Sequence, residues 1–196
     1  MRKILFLMLL GLSFSGYAQK IKLVSGSLAG LKGEKSVNAE FTYNDMGVGK
    51  FAKEEDYVNK KKGEYNEKEA GKGDKWAQAW VDDRKERFEP QFRELFAKQS
   101  DLSSVDANAK YTMIVHTTFT EPGYNIGISS MPAFINMEVI IVETANKSNV
   151  VATITVTKAP GRSAMGYDFE TGGRLTEAYA KAGKEVGAFL AKNMKK

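Results

Sequence analysis

Few residues of this chain combine the type and the spacing that chemistry at a site requires. The 196 residues include no cysteine and a single histidine, His116, so cysteine nucleophiles, thiolate metal ligands and disulfides are excluded. Zinc prefers Cys and His ligands, and calcium loops follow an Asp-x-Asp-x-Asp-Gly pattern that the sequence lacks. We therefore expect neither a metal site nor a cofactor.

Catalytic motifs are also missing, although carboxylate chemistry stays open. The sequence has no Gly-x-Ser-x-Gly, no phosphate-binding glycine loop and no His-Glu-x-x-His. His116 lies in a threonine-rich alternation, which favours a hydrogen-bonded or solvent-facing strand histidine over a general base. The adjacent acids Asp82 and Asp83 lie on a predicted helix, where neighbours point apart. Because two glycosidase carboxylates obey no spacing rule, a carboxylate-dependent hydrolase is an alternative to a noncatalytic protein.

The charge of the chain limits its partners. The formal net charge is +5, which is too small for a nucleic-acid-binding protein. Residues 174–196 carry six basic and two acidic side chains, so the end of the chain is strongly basic. These lysines either complement the dipole of their own helix or meet an anionic surface or an acidic envelope protein.

The amino terminus has the pattern of a secretory signal peptide. Arg2 and Lys3 precede an apolar run over residues 4–12, and Gly16 and Ala18 are the small residues that signal peptidase requires. The run is too short to cross about 30 Å of hydrocarbon. We predict cleavage after Ala18 and a single domain over residues 19–196 without a transmembrane span, exported to the periplasm or associated with the outer membrane.

The first half of the mature chain predicts two strands and a charged insertion. Residues 37–43 alternate between apolar and polar types, and the moderately apolar residues 20–31 precede them, with a hairpin turn at Leu31 to Glu34. Residues 50–75 contain 8 lysines and 7 acidic residues. This composition indicates a surface insertion, with a short exposed helix and a loop containing Gly71 and Gly73. The alternative is an arm that docks on a partner.

An aromatic helix follows the insertion. Asp74 has the type of an N-cap, and Trp76, Trp80 and Phe88 then fall on one helical face. Pro90 predicts an interruption near Glu89. At this spacing the two tryptophans indicate a packed core and not a sugar-stacking platform.

Three strands and a long helix complete the chain. Alternation over residues 111–120, 135–142 and 150–156 predicts an antiparallel meander, with Phe119 on the same face as Thr117. The final helix carries an apolar stripe from Leu175 to Leu190 and, beside it, a stripe of small residues with Gly183 and Gly187. We expect these glycines to bring the helix close to the sheet.

This order of elements predicts an α+β protein, a two-layer sandwich with a mixed or antiparallel sheet of about five strands and helices on one face. The end of the chain, with Glu138-Val139-Ile140-Ile141-Val142 and the helix around Tyr179, resembles periplasmic α/β sandwich domains of Gram-negative envelope proteins, of the type found at the amino terminus of TolB and in the curli-secretion lipoprotein. The resemblance implies an exported noncatalytic envelope-associated binding or assembly protein. A hydrolase or a soluble carrier of an apolar ligand are the alternatives.

A meander also predicts where a site lies. Its geometry brings the loops at residues 121–132 and 159–173 to the same end of the sheet, where function concentrates on loops held by a rigid scaffold. Gly172 and Gly173 then open the final helix, whose free N–H groups can donate hydrogen bonds to an anion. We expect Arg162 and Arg174 to flank an anion or an acidic partner segment there. The candidate binding residues are Tyr124, Asn125, Arg162, Tyr167, Asp168 and Arg174.

Overall fold

The computed structural model describes residues 19–126, 128–163 and 171–194. The predicted signal peptide over residues 1–18 lies outside the described residues, as do Tyr167 and Asp168. The strands are β1 (Lys20–Gly26), β2 (Asn38–Thr42), β3 (Gly47–Val48), β4 (Tyr111–Glu121), β5 (Tyr124–Asn125), β6 (Ser130–Met131), β7 (Phe134–Glu143) and β8 (Asn146–Pro160). The helices are α1 (Glu54–Lys68), α2 (Lys72–Asp83), α3 (Glu89–Ser100) and α4 (Thr171–Asn193), with a π-helical segment, Arg84–Phe88, between α2 and α3.

The main sheet is mixed and has the order β1-β8-β7-β4-β2, with β3 beside β4. Strands β4, β7 and β8 form the predicted antiparallel meander. Strands β2 and β3 run parallel to β4, and β1 runs antiparallel to β8. Alternate residues of the strands and the apolar stripe of α4 share one hydrophobic core. The predicted α+β sandwich is thus confirmed.

The predicted hairpin between residues 20–31 and 37–43 is wrong, because β1 and β2 lie at opposite edges of the sheet. A short 3-10 turn, Ala29–Leu31, connects them. Leu28 and Leu31 are buried there, so the connection enters the core instead of making a tight surface turn. Each edge strand then pairs with a strand that lies far along the chain.

Helix α2 runs into α3 through the π-helical segment. The N–H of Glu89 donates to the carbonyl of Arg84, five residues back. Pro90 has no N–H to donate to a carbonyl of the preceding turn. The change from α-helical to π-helical hydrogen bonds just before Pro90 lets the chain stay helical as far as Ser100. The α-helical ladder is therefore interrupted where Pro90 predicted, but the helix does not end. Asp74 is not the N-cap, since α2 begins two residues before it.

Helix α1 packs along α2 as a helical hairpin. It spans 15 residues, and Gly73 belongs to α2 and not to a loop, contrary to the prediction. Tyr57 and Tyr65 of α1 are buried, and their rings lie 5.9 and 5.6 Å from the ring of Trp76. Trp80 is also buried. The tryptophans belong to the packed core, as predicted.

A β-bulge changes the facing of the last residues of β4. The pairing of β4 with β7 shifts between Thr117 and Phe119. Thr117 and Thr120 are consequently buried, whereas Phe119 turns to the other face and packs against Phe134. The expectation that Phe119 shares a face with Thr117 is therefore wrong.

The glycines of α4 face a helix and not the sheet. A Cβ atom on Gly183 would lie 2.2 Å from the carbonyl oxygen of Phe92, and one on Gly187 would lie 2.5 Å from that of Phe96. Both carbonyls belong to α3. The small-residue stripe thus allows two helix backbones to approach closely, and the prediction of contact with the sheet is corrected.

Candidate functional site

The two loops that the meander predicted to be neighbours meet at one end of the sheet. The N–H of Gly161 donates to the carbonyl of Ala133 at 2.7 Å, and the N–H of Ala133 donates to the carbonyl of Arg162 at 3.1 Å. The Nε of Arg174 donates to the carbonyl of Pro122 at 3.0 Å. The loop after β4, the loop after β8 and the start of α4 are therefore tied together.

The predicted binding residues take different positions at this end. Arg174 is only 5% exposed and also donates to the Oγ1 of Thr171 at 3.2 Å, so it joins the start of α4 to the β4 loop. Arg162, Tyr124 and Asn125 are exposed. Tyr167 and Asp168 lie outside the described residues.

Strands β5 and β6 form a separate two-stranded sheet, which we call the apolar hairpin. Tyr124 pairs with Met131, and the N–H of Ile126 donates to the carbonyl of Ser129 at 3.0 Å. Ile126 is 68% exposed and Ile128 is 98% exposed. The side chains of Ile126 and Ile128 are therefore exposed to solvent at the tip of the two-stranded hairpin.

A groove of about 490 Å³ separates the apolar hairpin from α1. Phe51 and Tyr57 form one wall, with their rings in edge-to-face contact at 5.9 Å. Pro122 and Met131 also line the groove. The full lining consists of Gly49, Lys50, Phe51, Tyr57, Lys61, Glu121, Pro122, Gly123, Tyr124, Ile126 and Met131. A groove of this size and composition suits an apolar group with a few polar contacts.

Charged side chains surround the groove. The Nζ of Lys50 lies 5.7 Å from the ring centroid of Phe51, and the Nζ of Lys61 lies 5.6 Å from that of Tyr65. Glu121 is the single acidic residue among the described residues that line the groove, and its carboxylate accepts the N–H of Gly123 at 3.0 Å. Burial raises the pKa of the Glu121 carboxyl above its ordinary value. The groove is therefore apolar inside with more basic than acidic groups around it.

Two further clefts share Tyr43 and Arg84 in their linings. The Arg84 guanidinium lies 4.3 Å from the ring centroid of Tyr43 and forms an ion pair with Glu54, which also accepts the indole N–H of Trp80. The hydroxyl of Tyr43 donates to Glu89 at 3.4 Å. Burial raises the pKa of both Tyr43 and Glu89. We call Tyr43, Glu54, Arg84 and Glu89 the Arg84 cluster.

The two acids of the Arg84 cluster line different clefts. Tyr43 and Arg84 line both clefts, of about 530 and 430 Å³, but Glu54 lines only the first, with Asp45 and Glu55, and Glu89 only the second, with Asp82 and Glu86. Several carboxylates therefore line each cleft, and the carboxylate-dependent hydrolase stays a prediction. Across residues 19–126, 128–163 and 171–194, no three metal-ligating side chains come together.

His116 has an ordinary structural environment. Its Nδ1 lies 2.9 Å from the Oγ1 of Thr42 on the neighbouring strand β2, and the side chain is partly buried. Of the two structural alternatives for His116, hydrogen-bonded or solvent-facing, the structure has the hydrogen-bonded one.

Sequence reasoning named the polar residues of the β4 loop but missed its isoleucines. Ile126 and Ile128 carry most of the exposed apolar character, whereas the predictions singled out Tyr124 and Asn125. The sequence did contain a signal for them, because Ile126 and Ile128 are two large apolar residues in a loop that also contains glycine. Phe51 and Lys50 were also missed, because they reach the site from a segment far away in sequence.

The chain is thus an α+β sandwich protein with a surface groove between the apolar hairpin and α1. The chain matches no protein-family profile and no curated protein sequence. Among solved structures it is similar to the PelC dodecamer from Paraburkholderia phytofirmans and to a point variant of the same dodecamer. Each match has 11% identity and a TM-score of 0.36, and covers 84% of this chain and 96% of the PelC chain. At this similarity neither match assigns a function, and the resemblance to TolB-type domains stays a prediction.

Proposed function

We propose that this is an exported, noncatalytic envelope-associated binding protein whose recognition surface is the apolar hairpin with its adjoining groove. The observation that carries the proposal is the exposure of Ile126 and Ile128, at 68% and 98%. Burying one such side chain on a partner is worth about 1.5–3 kcal/mol. Inside the folded chain this apolar area contributes almost nothing.

The amino-terminal sequence supports the proposal, because it predicts export. In the part of the chain that the structure describes, no helix has the length and apolar character needed to cross a membrane. The exposed isoleucines are the means of envelope association that we propose.

A carrier of an apolar ligand is the second candidate, favoured by the size and aromatic wall of the groove. The two functions differ in their use of Ile128, which is not among the residues that line the groove. A carrier would keep its ligand when Ile128 is changed, whereas a docking surface would be weakened.

Fractionation of producing cells tests the proposed function. The double variant Ile126→Ser/Ile128→Ser should move from the membrane fraction to the soluble fraction, because both changed side chains are exposed and folding should not suffer. Val105→Ser/Val150→Ser is the matched control, since these valines are 73% and 52% exposed on other parts of the surface. Equal distribution of the two double variants, or a wild-type protein found only in the soluble fraction, would contradict the proposal.

A further inference from the structure

We infer that the partner of the apolar hairpin is an anionic lipid bilayer surface, with Ile126 and Ile128 entering the interface and the neighbouring basic side chains meeting the headgroups. This inference rests on the proposed function and names the class of its partner.

The shape of the hairpin favours a bilayer over a protein. A standard protein interface buries about 800 Å² on each partner, and a tip two strands wide with two isoleucines supplies only part of that area. The same tip is sufficient for a lipid interface, where apolar groups lie about 5–10 Å into the boundary of headgroups and acyl chains. Tyr124, 39% exposed on β5, is an aromatic residue of the type enriched at that boundary.

The charges around the tip favour an anionic surface. Lys50 and Arg162 are exposed, and Lys61 lines the groove with Lys50. The backbone hydrogen bond from the N–H of Ala133 to the carbonyl of Arg162 holds Arg162 beside Ala133, which is two residues after Met131. A basic side chain near an anionic membrane contributes about 1 kcal/mol. Membrane association through one weak apolar contact is marginal, and a cationic patch supplies the second contribution.

The same charges disfavour a second copy of this chain. A two-fold dimer brings the same patch of both chains together. Lys50 and Arg162 of both copies would then lie in one interface, and this concentration of positive charge costs free energy. An anionic bilayer can bury the isoleucines among its acyl chains and attract the basic side chains to its headgroups.

Vesicle binding by the protein as its cell produces it tests the inference, with all variants sharing the same amino terminus. We expect sedimentation with phosphatidylcholine vesicles that contain about one third phosphatidylglycerol, and weaker binding to phosphatidylcholine alone. Ile126→Ser/Ile128→Ser should weaken binding at least about tenfold. Lys50→Gln/Arg162→Gln should weaken binding to the anionic vesicles only, and Val105→Ser/Val150→Ser should bind like the wild type.

Insertion can be observed directly because the chain has no cysteine. Ile128→Cys labelled with an environment-sensitive fluorophore should shift its emission to the blue with anionic vesicles, and labelled Val105→Cys should not. Equal shifts at the two positions, or no vesicle binding by the wild type, would overturn the inference.

The two proposals fail in different ways. If the isoleucine variant leaves the membrane fraction of cells but no vesicle binds the wild type, the proposed function stands and the partner is a protein. If the wild type is a dimer in solution that the isoleucine substitutions dissociate, the partner is a second copy and the lipid inference is wrong. If the protein never associates with membranes in cells, the proposed function itself fails.

Discussion

At the scale of single residues, Arg84 connects three parts of the molecule. Its guanidinium contacts Glu54 of α1 and the ring of Tyr43 beside β2, and Arg84 itself begins the π-helical segment. Because each contact reaches a different element, the Arg84 cluster fixes the helical hairpin against the sheet. Its acids are therefore explained by packing, although they are half-buried and line clefts.

Glu89 should make stability depend on pH. Burial raises the pKa of its carboxyl, and the nearby Arg93 opposes this only in part. The folded chain thus binds the proton more tightly than the unfolded chain, in which the pKa is about 4.3. The stability that Glu89 contributes by binding this proton is fully present below the pKa of the unfolded chain. It is lost as the pH rises through the raised pKa of Glu89 in the folded chain. We expect Glu89→Gln to be more stable than the wild type at pH 7 by about 0.5 kcal/mol, a small value because Glu89 is partly exposed.

Urea unfolding at several pH values checks this expectation, and the difference between Glu89→Gln and the wild type should shrink as the pH falls. Glu94→Gln is the control, because its stability difference from the wild type should change with pH in the opposite direction. Hydrogen bonding to Lys98 lowers the pKa of the Glu94 carboxyl, so its contribution is present at neutral pH and is lost on acidification. Parallel pH profiles for the two variants would contradict the assignment.

At the scale of elements, the contact between α3 and α4 depends on glycine. Gly183→Ala places a methyl group against the backbone of Phe92, and a backbone atom cannot move aside as a flexible side chain can. We expect a loss of about 1–3 kcal/mol in the free energy of unfolding. Gly63→Ala is the matched control, because Gly63 is an exposed position inside α1 with nothing within 4 Å of an added Cβ. Gly63→Ala should raise the free energy of unfolding by up to about 1 kcal/mol. Denaturant unfolding measures both variants, and equal effects would show that the close approach of α3 and α4 at Gly183 does not determine the cost of Gly183→Ala.

The charged segment at residues 50–75 is proposed to be a surface insertion. Its four sizeable apolar residues, Phe51, Tyr57, Val58 and Tyr65, are nevertheless buried or partly buried. Replacing residues 51–73 with a short Gly/Ser linker should leave the sheet and the pair α3 and α4 folded. The melting temperature should fall, because the two tryptophans lose the rings of Tyr57 and Tyr65 and Arg84 loses its ion pair with Glu54. Circular dichroism during heating measures both outcomes, and loss of cooperative unfolding would show that the segment is part of the folding unit.

Local patterns predicted the elements better than the contacts between them. Alternation identified β4, β7 and β8, and spacing of three and four identified α4, because these signals are contained in each segment. The bulge after Thr117 and the contact of Gly183 with α3 depend on neighbouring elements and leave no local pattern. The same limit applies to the site: Arg174 has the residue type of an anion ligand, but its partner Pro122 is known only from the fold.

At the scale of the whole molecule, processing at the amino terminus is the first prediction to check. Cleavage after Ala18 would leave β1 intact, since this strand begins at Lys20 and Ile21 packs against the core. Mass spectrometry of the protein from its own cell should find an amino terminus at Gln19, as glutamine or in cyclised form. Met1 retained on protein recovered outside the cytoplasm would contradict the prediction.

The order of the strands in the sheet also determines when the sheet can be completed. Both edges come from early segments, β1 on one side and β2 with β3 on the other, whereas the central strands β4, β7 and β8 are synthesised much later. Folding slows as the partners of a contact become more distant in sequence. The meander can form from local contacts, but β1 has no partner until residues 152–157 have been made. The strands that leave the ribosome first are therefore among the last parts of the sheet to find their places.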